Sequence, residues 1–273
     1  MLKNTTKELI VGSVFVSGER TKTWYQLQIQ FLKKTTSNFK HYVFLNGDID
    51  ESIFTESEIV GHYNESAVKI LDGSAQSNNH LIGLNAILAK FKTVNAHNYL
   101  ILDCDCFPIL DNWMPTLVDT MSSKDKSIAS PIRTENLDIF PHPSALFMTK
   151  AALQSNWMDL SIGSKFNLMT NEIHDVGAKL PLKECYPLLR TNYFNPHPIF
   201  SAIYGHMFYH HTCGSRPKGM HTRGINEGAS YYVKNHWAIE EILFERLQDN
   251  PEKLINKLLG DYTDLNKLKF KLA

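Results

Sequence analysis

The sequence predicts an α/β protein whose central sheet is mostly parallel and flanked by helices on both faces. Three observations predict it. Apolar runs ending in turn residues recur through the first half of the chain, stretches of helical spacing separate them, and a 43% hydrophobic content over 273 residues is ample for a core. The strand candidates are ELIVGSVFV (8–16), HYVFLNGD (41–48), AVKILDGS (67–74) and NYLILDCD (98–105). Between them lie WYQLQIQFLKK (24–34) and HLIGLNAILAKF (80–91). In the latter, Leu81, Leu84, Leu88 and Phe91 fall on one helical face.

The second half changes character. SIASPI (127–132) and SALFMTK (144–150) are short strand candidates around a PHP turn at 141–143. Residues 186–224 are rich in Pro, His, Asn, Gly and aromatics, a composition that predicts loops over a site. From Asn235 the pattern is helical again, with Asn250-Pro251-Glu252 as a helix start and Gly260 as a stop. No repeat or linker divides residues 1–234, so a single domain is expected there.

Lys plus Arg equals Asp plus Glu, 28 each, so no global field attracts nucleic acid and any basic site is local. Cys104, Cys106, Cys185 and Cys213 form no CxxC pair and are read as reduced thiols. Acidic Glu8 precedes the first apolar stretch and no small-residue cleavage site follows it, which predicts a first strand and not a signal peptide. No run approaches the roughly 20 apolar residues of a membrane span, so a soluble, cytoplasmic protein is expected, with peripheral membrane contact left open.

The chemistry concentrates where NYLILDCD ends. A buried carboxylate without a partner is costly, so Asp103 and Asp105 at the carboxyl end of a strand are expected to meet a cation, a ligand or water. On an extended strand the two would share a face about 6 to 7 Å apart, and a turn would bring them nearer. Hard oxygen ligands of this kind suit Mg²⁺ or Mn²⁺ carrying a diphosphate. The plainer alternative is a pair of loop caps bonded to backbone amides. Asn46-Gly47-Asp48 and Asp72-Gly73-Ser74 end two other strand candidates and could line the same rim.

The order of first strand, NGD turn, amphipathic helix, LDCD and later histidine cluster resembles glycosyltransferases of the A-type (GT-A) fold, especially the large family 2 group. Two further segments carry the resemblance: YHHTCGSR (209–216), similar to an HHxGGSR-like segment late in such chains, and HDVGAKL (174–180), where the family keeps a catalytic acidic residue. The usual ED pair is His174-Asp175 here. The resemblance spans residues 8–216 and implies a Rossmann-like GT-A fold. It implies one catalytic domain over 1–234, with 1–110 as nucleotide-binding half and 111–234 as acceptor half, and C-terminal helices (235–273) packed on it.

The resemblance implies a Mn²⁺- or Mg²⁺-dependent enzyme moving a sugar from a nucleotide-diphosphate donor to a glycan or lipid-linked acceptor, with inversion, in polysaccharide or glycan assembly. Asp103 and Asp105 would hold the metal, and Asp103 the donor too. His210 or His211 would complete the metal site; neighbours on a strand face opposite ways, so only one can, and His210 is favoured. Asp175 is the candidate base, then Glu172 and His174, against the alternative that Asp175 caps a helix beginning near Val176. Arg216 would bind the diphosphate. Ser17, Asn46, Asp48 and Asp72 would line the donor pocket, and Asn79 is a weaker candidate; DGS and SNN around Asp72 and Asn79 are otherwise ordinary turn and helix-cap material. Trp24, Trp113 and Trp237 are expected in the core, with sugar stacking by Trp113 as the alternative.

Three rivals remain. LDCDCF looks superficially like the first motif of haloacid-dehalogenase-like phosphatases, but that motif normally opens its fold and here follows three strand candidates. Nucleotidyltransferases share the sheet, but residues 12–25 lack their Gly-rich basic loop. The third is a non-catalytic module binding a glycan or partner. The helices from residue 235, with Ile239, Ile242, Leu243 and Leu247 on one stripe, are expected to pack on the domain; homodimerisation and membrane contact are the alternatives.

Overall fold

The computed structural model describes residues 8–63, 73–134, 139–165, 173–192, 200–212, 214 and 230–260; for 73–78, 164, 165, 173, 174 and 230–237 it describes the backbone alone. The elements in chain order are β1 (Leu9–Val16), α1 (Thr21–Thr35), β2 (Phe39–Asn46), β3 (Glu58–Tyr63), α2 (Gly73–Thr93), β4 (Asn98–Asp103), β5 (Cys106–Pro108) and α3 (Trp113–Ser123). They continue with β6 (Ile128–Pro131), β7 (Ala145–Thr149), α4 (Lys150–Leu153), β8 (Gly163–Lys165), β9 (Ile173–Asp175), β10 (Cys185–Leu188), β11 (Ala202–Tyr204), β12 (Phe208–His210), α5 (Ser230–Asp249) and α6 (Pro251–Leu259).

Seven strands form the central sheet in the order β10-β6-β7-β4-β1-β2-β3. The β10-β6, β4-β1, β1-β2 and β2-β3 pairs are parallel, while β7 runs antiparallel to both neighbours. The expected mostly parallel α/β architecture is therefore present. β1 and β4 are buried on both faces, and alternation sorts their side chains. Ile10, Val14, Tyr99 and Ile101 join α2 and α4 in one core, whereas Leu9, Val11, Leu100 and Leu102 pack with α3 and β12 on the other side. Phe15 joins α1, α5 and α6 in a third cluster on that second side. Burying each such side chain contributes on the order of 2 kcal/mol.

The stripe in α2 behaves as its spacing predicts, since Leu84, Leu88 and Phe91 are buried and Leu81 packs against them. On α5, Leu243 and Leu247 are buried with Phe244 against α1, but Ile242 is 44% exposed and lies off that stripe. The Asn250 side chain accepts from Lys253 N at 2.9 Å to start α6, and Gly260 follows its end with φ 64°. Cys104, Cys106 and Cys185 are free thiols, and Cys213 lies outside the described residues. Among the described residues no helix is long and apolar enough to cross a membrane.

Three sequence expectations need correction. The strand after β2 is Glu58–Tyr63; within the expected 67–74 run, Gly73 and Ser74 begin α2 and 67–72 lie outside the described residues. Half-exposed GHY pairs at the sheet edge without an apolar run, which hid it from hydrophobic pattern. No helix starts at Val176: Asp175 ends β9, in a hairpin with β8, and a turn follows. Asn79 is not a cap, because it sits inside α2.

Candidate metal and donor site

Parallel strands bring their carboxyl ends to one edge, and the polar residues that end them meet there. Val14 of β1 pairs with Asp103 and Val16 with Asn46, so the ends of β4, β1 and β2 are level. Ser17 Oγ donates to Asp48 O at 2.7 Å across the β1 and β2 ends, beside buried Asn46. Asp72, Glu172 and Arg216 lie outside the described residues, as does the side chain of His174.

The chain turns at Cys104-Asp105 between β4 and β5, which brings the two aspartates together. Buried Gln28 of α1 holds this turn from behind, its amide donating to Asp103 O at 2.9 Å and Cys106 O at 2.8 Å. Its own oxygen accepts from Ser13 Oγ at 2.8 Å, and Ser13 Oγ lies 3.1 Å from His41 Nε2. Since the Ser13 hydrogen is committed to Gln28, His41 donates through Nε2. Ser57 Oγ is 2.8 Å from its Nδ1. Burial depresses the His41 imidazole to about 3, so this relay is neutral.

A three-stranded sheet in the order β11-β12-β5 supplies the histidine. His210 pairs with Cys106 in the ladder, and its Nε2 lies 3.5 Å from Asp103 Oδ2 and 3.4 Å from Asp105 Oδ1. Asp103, Asp105 and His210 each offer one ligand atom, all within 4.8 Å of one another. His211 faces the other way. Its Nδ1 lies 2.7 Å from Tyr209 OH, and its Nε2 lies 2.9 Å from Glu240 Oε1 of α5, which also pairs with Arg20 at 2.5 Å. His211 therefore does not join the acidic pair; its backbone N donates to Asp105 O at 3.0 Å.

Asp105 is almost fully enclosed. Gly214 N donates to its Oδ2 at 2.8 Å, and Trp24 Nε1 donates to Gly214 O at 2.9 Å. A Cβ on Gly214 would stand 2.5 Å from the Trp24 ring and 2.9 Å from that oxygen, so this close approach requires glycine. Burial pushes the Asp105 carboxyl up, but the His210 charge and hydrogen bond, His211 and the Gly214 amide hold it down at about 2. For Asp103, burial wins over His80 and His210 and raises its pKa. Burial would lower His210, yet the two aspartates raise it.

Burial and the neighbouring carboxylates thus make protons harder to remove from Asp103 and His210. Asp103 Oδ1 and His210 Nδ1 are buried without hydrogen-bond partners. Two carboxylates and an imidazole with orphaned polar atoms fit a hard or borderline divalent cation, which takes one or two carboxylates and leaves room for substrate phosphates.

Several residues near the site had no sequence motif. His80 Nε2 of α2 lies 3.4 Å from Asp103 Oδ1. Arg133, two residues past β6, lies 3.3 Å from Asp175 Oδ2 and acts electrostatically on Asp103 and His210. His142 Nδ1 accepts from Ser144 N at 3.2 Å, so its Nε2 hydrogen faces Asp175 Oδ2 at 3.8 Å. Val176 N donates to Asp175 Oδ1 at 2.8 Å. The strand-end rule applied to SIASPI would have flagged Arg133; His80 carries no comparable signal. Trp24 and Trp113 are core residues, and Trp113 Nε1 donates to Thr36 Oγ1 at 3.1 Å, which leaves no face for a sugar.

No family model and no curated protein sequence matches the chain. Its structure is similar to those of glycosyltransferases. One is the mannosyltransferase PcManGT from Pyrobaculum calidifontis, solved with GDP-Man and Mn²⁺, at 8% identity and TM-score 0.38 over 54% of this chain and 46% of that one. A second is S. aureus TarS, at 11% identity and TM-score 0.41 over 67% and 35%. The third is the galactosyltransferase LgtC with donor and acceptor sugar analogues, at 11% identity and TM-score 0.34 over 50% and 57%. The match spans less than two thirds of each of those chains.

Proposed function

We propose that this protein is a metal-dependent glycosyltransferase that moves a sugar from a nucleotide-diphosphate donor to a hydroxyl of a glycan or lipid-linked acceptor, with inversion. The observation that supports it is the buried Asp103, Asp105 and His210 cluster, with its orphaned atoms, at the carboxyl edge of a mostly parallel sheet. Asp103, Asp105 and His210 would hold Mn²⁺ or Mg²⁺, which supplies positive charge beside the leaving diphosphate. Ser17, Asn46 and Asp48 offer hydroxyl, amide and carboxylate groups to the donor's base and ribose from the adjacent strand ends. Asp72 and Arg216 are proposed for the same pocket.

Asp175 is the proposed base. Arg133, His142 and the Val176 amide fix its orientation, and Arg133 links it electrostatically to Asp103. A base so placed takes the acceptor hydroxyl's proton as the oxygen attacks the sugar carbon and the C–O bond to the diphosphate breaks. Glu172 is the second candidate.

A thermal-shift panel of nucleoside diphosphates and nucleotide-sugars with Mn²⁺, Mg²⁺ or chelator tests the reading, because a ligand of the native state raises stability by mass action. A shift with one nucleoside diphosphate that vanishes with chelator, and in Asp105→Ala, is expected. No shift with any nucleotide removes the donor site. Asp175→Asn should keep that shift while slowing transfer by about 10²- to 10⁴-fold; near-normal turnover excludes it as base.

A further inference from the structure

The two oxygens of Asp103 meet two different imidazoles. Oδ2 faces His210 from β12 at 3.5 Å, inside the cluster, and Oδ1 faces His80 from α2 at 3.4 Å, outside it. His80 is not among the three residues whose donor atoms converge, so it is not a ligand in this geometry. Yet Oδ1 is buried and makes no hydrogen bond, because the 3.4 Å contact with His80 lacks the alignment for one. A carboxylate that gives one oxygen to a cation needs a donor for the other, and ligating side chains are ordinarily held by such partners.

We propose that His80 is the positioning residue of the site: its Nε2–H donates to Asp103 Oδ1 and so presents Oδ2 to the cation beside Asp105 and His210. A small rotation of the ring completes the bond. The side chain is 26% exposed, so it has room to turn. The backbone of Asp103 is fixed independently, its N donating to Ser144 O at 3.0 Å and its O accepting from Gln28, which leaves the carboxylate torsion as the freedom that His80 removes. Because α2 carries it, the metal site is tied to the helix that packs on β1, β2 and β3 as well as to α1 and β12. This inference rests on the cation reading above.

The test uses Mn²⁺ alone, titrated into the full chain and followed by the loss of the free-ion signal in electron paramagnetic resonance. His80→Phe keeps the ring shape and removes the donor, whereas His80→Gln places an amide N–H near the position of Nε2. His80→Phe should weaken Mn²⁺ binding by about 10- to 100-fold and broaden the bound-ion spectrum, with the thermal midpoint of the metal-free protein unchanged. His80→Gln should recover most of that affinity. Equal affinities for wild type, His80→Phe and His80→Gln overturn the positioning role while leaving the cation site standing. A loss in both variants also overturns it, since the imidazole would then be needed for more than its N–H. No binding by the wild type overturns the cation reading, and the inference with it.

Discussion

His210 and His211 are neighbours on one strand end and are equally buried, yet they live in opposite electrostatic worlds. His211 has a partner at each nitrogen, Tyr209 and Glu240, and Glu240 is in turn held by Arg20. His210 faces two carboxylates through Nε2 at distances longer than a good hydrogen bond, and its Nδ1 has no hydrogen-bond partner. His41 extends the comparison. It is also buried, and hydroxyl groups alone meet its two nitrogens. A buried polar group with every valence satisfied is a structural part, whereas one left short of partners at a sheet edge is set for something that arrives later. The two residues differ by one step along a strand, which turns the side chain to the other face.

The largest expected effect comes from the satisfied member. His211→Ala leaves the buried Glu240 carboxylate with its Arg20 ion pair but without the imidazole, and opens a gap against Trp24 and Phe244. Urea unfolding should show a loss of about 3 kcal/mol, and a loss below about 1 kcal/mol would break the assignment of His211 to structure. His210→Ala should do the reverse. It removes one proposed ligand, so Mn²⁺ affinity should fall by about 100-fold, while urea stability should change less than in His211→Ala. Calorimetric titration of the metal checks the first and denaturation the second; an unchanged affinity would place the cation elsewhere.

The smallest effect belongs to His41 and sharpens the contrast through pH. Its folded pKa lies near 3, below the ordinary value of 6.5, so between those values the unfolded chain binds a proton that the native protein does not. Stability due to this group is complete above pH 6.5 and is lost as pH falls towards 3, with a limiting slope of about 1.4 kcal/mol per pH unit. His41→Gln cannot take up that proton. Its stability should fall less steeply than wild type between pH 6 and pH 4 in denaturant titrations, and identical slopes would mean that His41 charges in place.

Much of this was legible in the chain. NYLILDCD announces both a buried strand and its acidic end, because an apolar run that stops on two aspartates marks the carboxyl edge of a sheet. The helix of Leu84, Leu88 and Phe91 and the start of α6 at Asn250-Pro251 are equally local, since a periodic stripe and a cap are written within a few residues. β3 was not legible, because a half-exposed edge strand has no apolar run to betray it. Nor was the turn after Asp175, where HDVG suits a helix cap and a hairpin end alike.

Composition, hydrophobic period and strand-end polarity thus determine by themselves an α/β chain with an acidic pair at the carboxyl edge of its sheet, since these are interactions between residues close in sequence. Only the tertiary structure chose His210 over His211, placed His80 and Arg133 beside the pair, and set Gln28 behind the turn. Those choices join positions such as 28 and 103, or 80, 103 and 210, that no local pattern links. They follow from the register of β5 with β12 and the packing of α1 and α2 on the sheet.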